Sequence, residues 1–233
     1  LTANTTATNN TSVGAFSLGS NTTGEANTAV GLAALDANTT GSNNVGLGRD
    51  ALGSSTTASN NVAVGQDSLY TLTTGTGNAV LGTAAARGMT TGNYNTVMGQ
   101  EALKANTTAS NNTAVGYQAG LNVTTGTLNT LVGSGAGGTA TMTGSENNLL
   151  GYIAGRNITS GQYNTGIGSY SINSLTTGGG NIAMGRSSLG STTTGDNNVA
   201  VGYDALQANT TASNNTAVGT QSLYANTTGD KNV

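Results

Sequence analysis

A 17-residue repeat runs through the whole chain and is the feature that most limits how it can fold. A glycine recurs every 17 residues, with a single step of 18 between Gly133 and Gly151. A large apolar residue precedes each of these glycines, and an asparagine stands four residues before it. Repeats this short stack as coils that contact only their neighbours. We assign structural roles in the repeat to Asn44, Asn61, Asn78, Asn95, Asn112, Asn198, Val64, Val115, Val201, Gly65, Gly99, Gly116 and Gly202.

Within one repeat, Thr113-Ala114-Val115 alternates in the manner of a short strand. Gly116 then permits a sharp corner, and Ala119 is expected to begin a second short strand. Helix is disfavoured, because glycine and asparagine are poor helix residues and no 3.6-residue apolar spacing is present. The chain also lacks proline, which cannot donate to a β-ladder. The sequence therefore predicts an all-β fold, a parallel β-solenoid of about 13 turns of 17 residues.

The apolar residues of a coil are few, and their placement bears on assembly. We expect Val115 and Ala119 to fill the coil, which leaves Ala114 and Leu103 for contact with another chain. Three coils around a common axis would bury such residues, so we expect a parallel homotrimer. The stacked asparagines are expected either to form an amide ladder along the axis or to serve as turn residues.

The domain organisation follows from the same register. Residues 1–233 form a single continuous repeat array, which we interpret as a fragment of a longer fibre. One residue is inserted in the turn at 134–143, and the block 62–116 is repeated at 165–219. Duplication of a six-coil block suggests that length itself is useful.

The stretch from Asn111 to Ala119, Asn-Asn-Thr-Ala-Val-Gly-Tyr-Gln-Ala, resembles the head repeat of trimeric autotransporter adhesins, the YadA-like head. Similar arrays occur in bacteriophage tail fibres. The resemblance covers essentially the full chain and implies a left-handed parallel β-roll with three chains to a trimer. This chain differs in its longer repeat, and the first asparagine of the motif is replaced at Ala26, Tyr94, Leu128 and Glu146.

Composition excludes several kinds of chemistry. Cysteine and histidine are absent, so there is no thiolate ligand and no imidazole base. Net charge is −3 with six basic residues, which gives no footprint for nucleic acid. No apolar run approaches the roughly 20 residues that span a bilayer. We therefore expect a non-enzymatic segment that has no cofactor and no metal, and that does not insert into a membrane.

Acidic residues stand two positions after the repeat glycine at Asp50, Asp67, Glu101 and Asp204. On adjacent coils such carboxylates suit a shared calcium or a glycosidase pair, but the varied occupants of this column favour a solvated surface. Glycine runs at 133–138 and 178–180 precede no helix and lack the lysine of a phosphate loop, so we interpret them as corners. The inserted turn around residues 140–142 is a candidate protrusion.

Two further columns suggest binding. Paired threonines, such as Thr73-Thr74 and Thr107-Thr108, suggest an ice-binding array, although adjacent residues point to opposite faces. Tyrosines such as Tyr117 and Tyr152 share a column and suit stacking on sugars. We expect an extracellular fibre or adhesin segment of phage tail fibre or bacterial surface type, with ice binding as the alternative. Its partners are expected to be further copies of itself and a host-surface glycan or matrix protein.

Overall fold

A computed structural model describes residues 2–233 and divides into two compact units, one ending at Asn112 and the other beginning at Thr113. Each unit is a parallel β-solenoid with one three-residue strand per coil. Among the described residues, none is helical. The predicted all-β parallel solenoid with coils 17 residues apart is therefore confirmed.

All strands of a unit lie in chain order in one parallel sheet. The first unit contains β1 (Thr11–Val13), β2 (Thr28–Val30), β3 (Val45–Leu47), β4 (Val62–Val64), β5 (Ala79–Leu81) and β6 (Thr96–Met98). The second contains β7 (Thr113–Val115), β8 (Thr130–Val132), β9 (Asn148–Leu150), β10 (Thr165–Ile167), β11 (Ile182–Met184), β12 (Val199–Val201) and β13 (Thr216–Val218). Equivalent residues pair throughout, so Val64 of β4 lies beside Leu81 of β5.

The rest of each coil consists of turns, and the second strand predicted to begin at Ala119 is absent. The reason is local: the Ala119 amide donates back to the Gly116 carbonyl at 3.2 Å and closes a turn. Left-handed residues on both sides of Ala119 prevent extension, with Gln118 at φ 54° and Gly120 at φ 62°. Successive coils still hydrogen-bond through their turns, as from the Leu69 amide to the Ala85 carbonyl at 3.1 Å.

The interior of a coil is built from the middle residue of the strand and from the third and fourth residues after the corner glycine. In the coil of β7, Ala114 and Ala119 are fully buried, whereas Val115 is only half-buried. The prediction that Val115 fills the coil and leaves Ala114 exposed is therefore wrong. Leu103, also assigned to an inter-chain surface, is fully buried within the first unit.

Two interior positions of a coil compensate for each other in size: the strand's middle residue and the fourth residue after the corner glycine. The middle residue is usually small because the other residue is usually large. A Cβ added to Gly166 of β10 would lie 2.8 Å from Cγ1 of Ile172, which fills that coil. The order is reversed in the coil of β9, where Leu149 is large and a Cβ on Gly155 would lie 2.5 Å from its Cδ1. The same interior space is thus filled from either of two positions in the coil.

Candidate functional site

From Asn27 to Asn215 the asparagine of each repeat is buried and joins its coil to both neighbours. The Asn61 Oδ1 accepts from the amide and from Nδ2 of Asn78, both at 3.0 Å. Its own Nδ2 donates to the Gly75 carbonyl at 2.9 Å and to Asn44 Oδ1 at 3.3 Å. Asparagine is suited to this position because one short side chain must both donate and accept. These side chains are structural and are not available to a ligand.

The corner glycine packs directly on the corner of the next coil. Gly65 has φ +127°, and a Cβ there would lie 2.7 Å from the carbonyl carbon and oxygen of Gly82. In the second unit, a Cβ on Gly116 (φ +134°) would meet Gly133 at the same distances. Both the backbone conformation and the contact exclude a side chain, so the glycine is required by the stacking itself.

An outer sheet face is formed by the first and third residues of every strand. Many are apolar and exposed: in the first unit Leu81 is 44% and Met98 49% exposed, and in the second Met184 is 40% exposed. Val64, Val115 and Val201, which were assigned structural roles in the repeat, point to this face and are half-buried. An apolar strip on a regular sheet commonly marks a contact surface.

The threonine pairs divide between two roles. The first hydroxyl of a pair bonds to the next coil, as from Thr39 Oγ1 to the Thr56 carbonyl at 3.1 Å and from Thr73 Oγ1 to the Thr90 carbonyl at 3.0 Å. The second threonine faces solvent. In the first unit these exposed threonines are Thr23, Thr40, Thr57, Thr74, Thr91 and Thr108. Only the second threonine of each pair therefore contributes to a regular solvent-facing row.

The acidic column does not assemble into a shared site. The carboxylates of Asp50, Asp67 and Glu101 each lie beside a different basic side chain on the surface. These ion pairs are Arg49–Asp50 at 3.4 Å, Arg87–Asp67 at 3.8 Å and Lys104–Glu101 at 2.7 Å. Asp204 belongs to the second unit. In residues 2–233 no group of three or more acidic side chains is close enough to hold a metal ion.

A notch of about 180 Å³ opens at the coil that carries the inserted residue. Its lining includes Gly135 and Gly138, Tyr117 of the preceding coil, Tyr152 of the following coil, and Arg156. Residues 140–142 of this coil, the candidate protrusion, differ in exposure. Met142 is fully buried and bridges to Val123, whereas Ala140 is half-buried and Thr141 is exposed, and none of the three lines the notch.

A second, more open concavity lies where Gly179 and Gly180 leave the backbone uncovered, between Tyr163 on one coil and Asp196 on another. The Gly179 amide donates to Asp196 Oδ1 at 2.7 Å, so this carboxylate is already engaged by the fold. Each of the two concavities is lined by glycine residues and by a tyrosine of a neighbouring coil.

Across the described part of the chain, no helix has the length and apolarity needed to cross a membrane. The geometry shows a stack of coils with concavities on its surface. No protein-family model matches the chain, and no curated protein is similar enough to count as a match.

Proposed function

We propose that this chain is a non-enzymatic, extracellular fibre or adhesin segment of phage tail fibre or bacterial surface type. The observation that carries the proposal is that successive coils stack through the same asparagine and corner-glycine contacts. Because the asparagine and corner glycine of one coil fit those of the next, coils can be added without changing any existing contact. Such a segment serves as a rigid spacer whose length is set by repeat number.

The proposed assembly is a parallel homotrimer in contact through the outer sheet face. Ala114 and Leu103, which were expected to contact another chain, are buried within their own coils. They therefore give no reason for a trimer. The apolar outer sheet face supplies a different reason for assembly. Leu81 and Met98, on adjacent strands, leave apolar surface in contact with water, and other chains could cover it. The resemblance of the repeat to YadA-like heads supports three chains and a left-handed roll.

The mass of the protein in solution tests this assembly. At micromolar concentration, sedimentation equilibrium is expected to give about three times the 22.7 kDa chain mass. The substitution Leu81→Glu is expected to reduce the mass to that of one chain without loss of β-structure, because it places a charge in the apolar contact. Thr91→Glu, at an exposed position outside the sheet, is the matched control and should leave the mass unchanged. A wild-type mass of one chain would contradict the trimer.

The sides of the segment are proposed to bind a host-surface glycan or matrix protein. Side chains vary most at the two residues after the corner glycine, as in Tyr117-Gln118 and Arg186-Ser187. Variation on a fixed backbone is how repeat scaffolds present binding surfaces. Nucleic acid is a poor candidate partner because the chain carries a net charge of −3.

A second candidate function is ice binding, and the observation in its favour is the unbroken row of exposed threonines in the first unit. The fibre account predicts no thermal hysteresis in the purified protein. Hysteresis that disappears in the double variant Thr57→Lys with Thr74→Lys would favour ice binding. The matched double variant Thr56→Ser with Thr73→Ser keeps the hydroxyls that bond to the next coil and leaves the exposed row intact. It should show the same thermal hysteresis as the wild type.

A further inference from the structure

The notch in the coil of Gly133 is the place where the regular array is most clearly interrupted. Gly135 holds φ +68°, and a Cβ there would meet only Cγ1 of Ile153, at 3.5 Å. Equivalent positions carry full side chains in the same conformation, such as Gln118 at φ 54° and Ile153 at φ 57°. The corner glycines are required by their backbone contacts, but the backbone would accept a side chain at residue 135. Its absence leaves a cavity of about 180 Å³.

Two tyrosines stand on either side of this gap. Tyr117 and Tyr152 occupy the same column, one coil before and one coil after the notch, and their side chains are about half exposed. With strands about 4.8 Å apart, the two positions are separated by roughly 10 Å. Tyr152 is held by an edge-to-face contact with Tyr170, with ring centroids 5.5 Å apart and planes at 86°. Exposed aromatic rings fixed in this way offer flat apolar surfaces to a ligand.

A single charged side chain, Arg156, lines the notch, and no carboxylate does. Its Nε donates to Thr139 Oγ1 at 3.2 Å, and Thr139 Oγ1 lies 3.0 Å from the Arg156 carbonyl, to which it donates. These contacts orient the guanidinium through one of its five N–H groups. The planar remainder of the group is suited to paired hydrogen bonds with a carboxylate. In a chain of net charge −3, this gives the notch a local positive character.

From this arrangement we infer that the notch binds one acidic pyranose residue of a glycan. The ring would stack against Tyr117 or Tyr152, the carboxylate would bind Arg156, and the ring substituents would enter the space beside Gly135. A small inorganic anion would leave the tyrosine faces unused, and a neutral sugar would leave the arginine unpaired. The inference rests on the proposed adhesive function and assigns that function a site and a ligand class.

The test uses the full chain and two simple probes, methyl glucuronide and its neutral counterpart methyl glucoside, titrated while tyrosine and arginine resonances are followed by NMR. We expect saturable shifts with the glucuronide and at least about fivefold weaker binding of the glucoside. Arg156→Gln should remove this preference and make the two probes equal. Gly135→Gln should weaken the binding of both probes at least tenfold. The new side chain would fill the gap, and glutamine is the residue found at the equivalent position 118 of the preceding coil.

Ala84→Gln is the matched control for the blocking variant. Ala84 stands at the same place in its own coil, at φ 53°, in the first unit and outside the notch. This variant should bind both probes as the wild type does. Absence of saturable binding, equal affinity of the wild type for both probes, or binding that survives Gly135→Gln would each overturn the inference. Sedimentation of the same samples keeps the proposals distinct, because a trimer without binding refutes only the notch, and a monomer that binds refutes only the assembly.

Discussion

Replacing Gly65 by alanine is expected to lower the free energy of unfolding by about 4 kcal/mol. Two costs combine at this residue. A non-glycine residue at φ +127° is strained, and its Cβ would lie 2.7 Å from the backbone of Gly82. Because that neighbour is main chain, it cannot move aside without breaking the hydrogen bonds between coils. Urea unfolding followed by far-UV circular dichroism measures the loss.

Gly219→Ala separates the two costs. Gly219 has φ +123°, but a Cβ there would meet no heavy atom within 4 Å. Only the backbone strain remains, so the expected loss is about 1–2 kcal/mol. Equal losses at Gly65 and Gly219 would show that contact between corner glycines contributes nothing to stacking.

The change Asn61→Asp is expected to cost about 3–5 kcal/mol at neutral pH. The substitution removes the donor that reaches the Gly75 carbonyl and Asn44 Oδ1, and it directs a negative charge toward both oxygens. Asn61 is fully buried, so water cannot compensate. Asn232→Asp is the matched control: Asn232 makes the same bonds to Asn215 but is only half-buried, so it should lose much less.

The loss at residue 61 should depend on pH. Burial and the two facing oxygens raise the folded-state pKa of the introduced carboxyl above its unfolded value of about 3.9. Below that value both states are protonated, and the variant is closest to the wild type. As pH rises, the unfolded state ionises first, and the variant should lose up to about 1.4 kcal/mol per pH unit until the folded-state pKa is passed. A loss that stays constant from pH 3 to pH 7 would contradict this account.

Period, strand position and corner could all be predicted from the sequence, because each depends on one residue type recurring at a fixed phase. Gly116 marks the corner, and Thr113–Val115 is a strand with the bounds that alternation indicates. The second strand at Ala119 was wrong because nothing in the sequence marks left-handed conformation at residues such as Gln118. Side chains of that kind usually avoid such conformation, and here the stacking of coils imposes it.

The prediction of which strand residues face the interior was also wrong. It placed the larger Val115 inside the coil and the smaller Ala114 outside it. Size is misleading when the interior is already filled from another part of the same coil. A signal was nevertheless present: Leu149 occurs with Gly155, and Gly166 with Ile172. In most coils the strand's middle residue is small where the residue six positions later is large, or the reverse. Such compensation is expected only between side chains that share one space.

The notch could be predicted only in part. The inserted residue and the glycines from residue 133 to 138 identified the unusual coil, and Tyr117 and Tyr152 were seen to share a column. The cavity itself could not be predicted, because its lining comes from three successive coils. Arg156 reaches it from the following coil, and no local pattern around Gly135 marks that contact.

The central claim is that buried asparagine side chains join each coil to the next, and hydrogen exchange of side-chain amides measured by NMR tests it most directly. Asn44, Asn61 and Asn78 are expected to exchange their Nδ2 protons about as slowly as the backbone amides of β3–β5. The exposed Asn43 and Asn60 should exchange at once. If the two groups of side chains exchanged at the same rate, the ladder would not be formed in solution, and the account of the fold would be wrong.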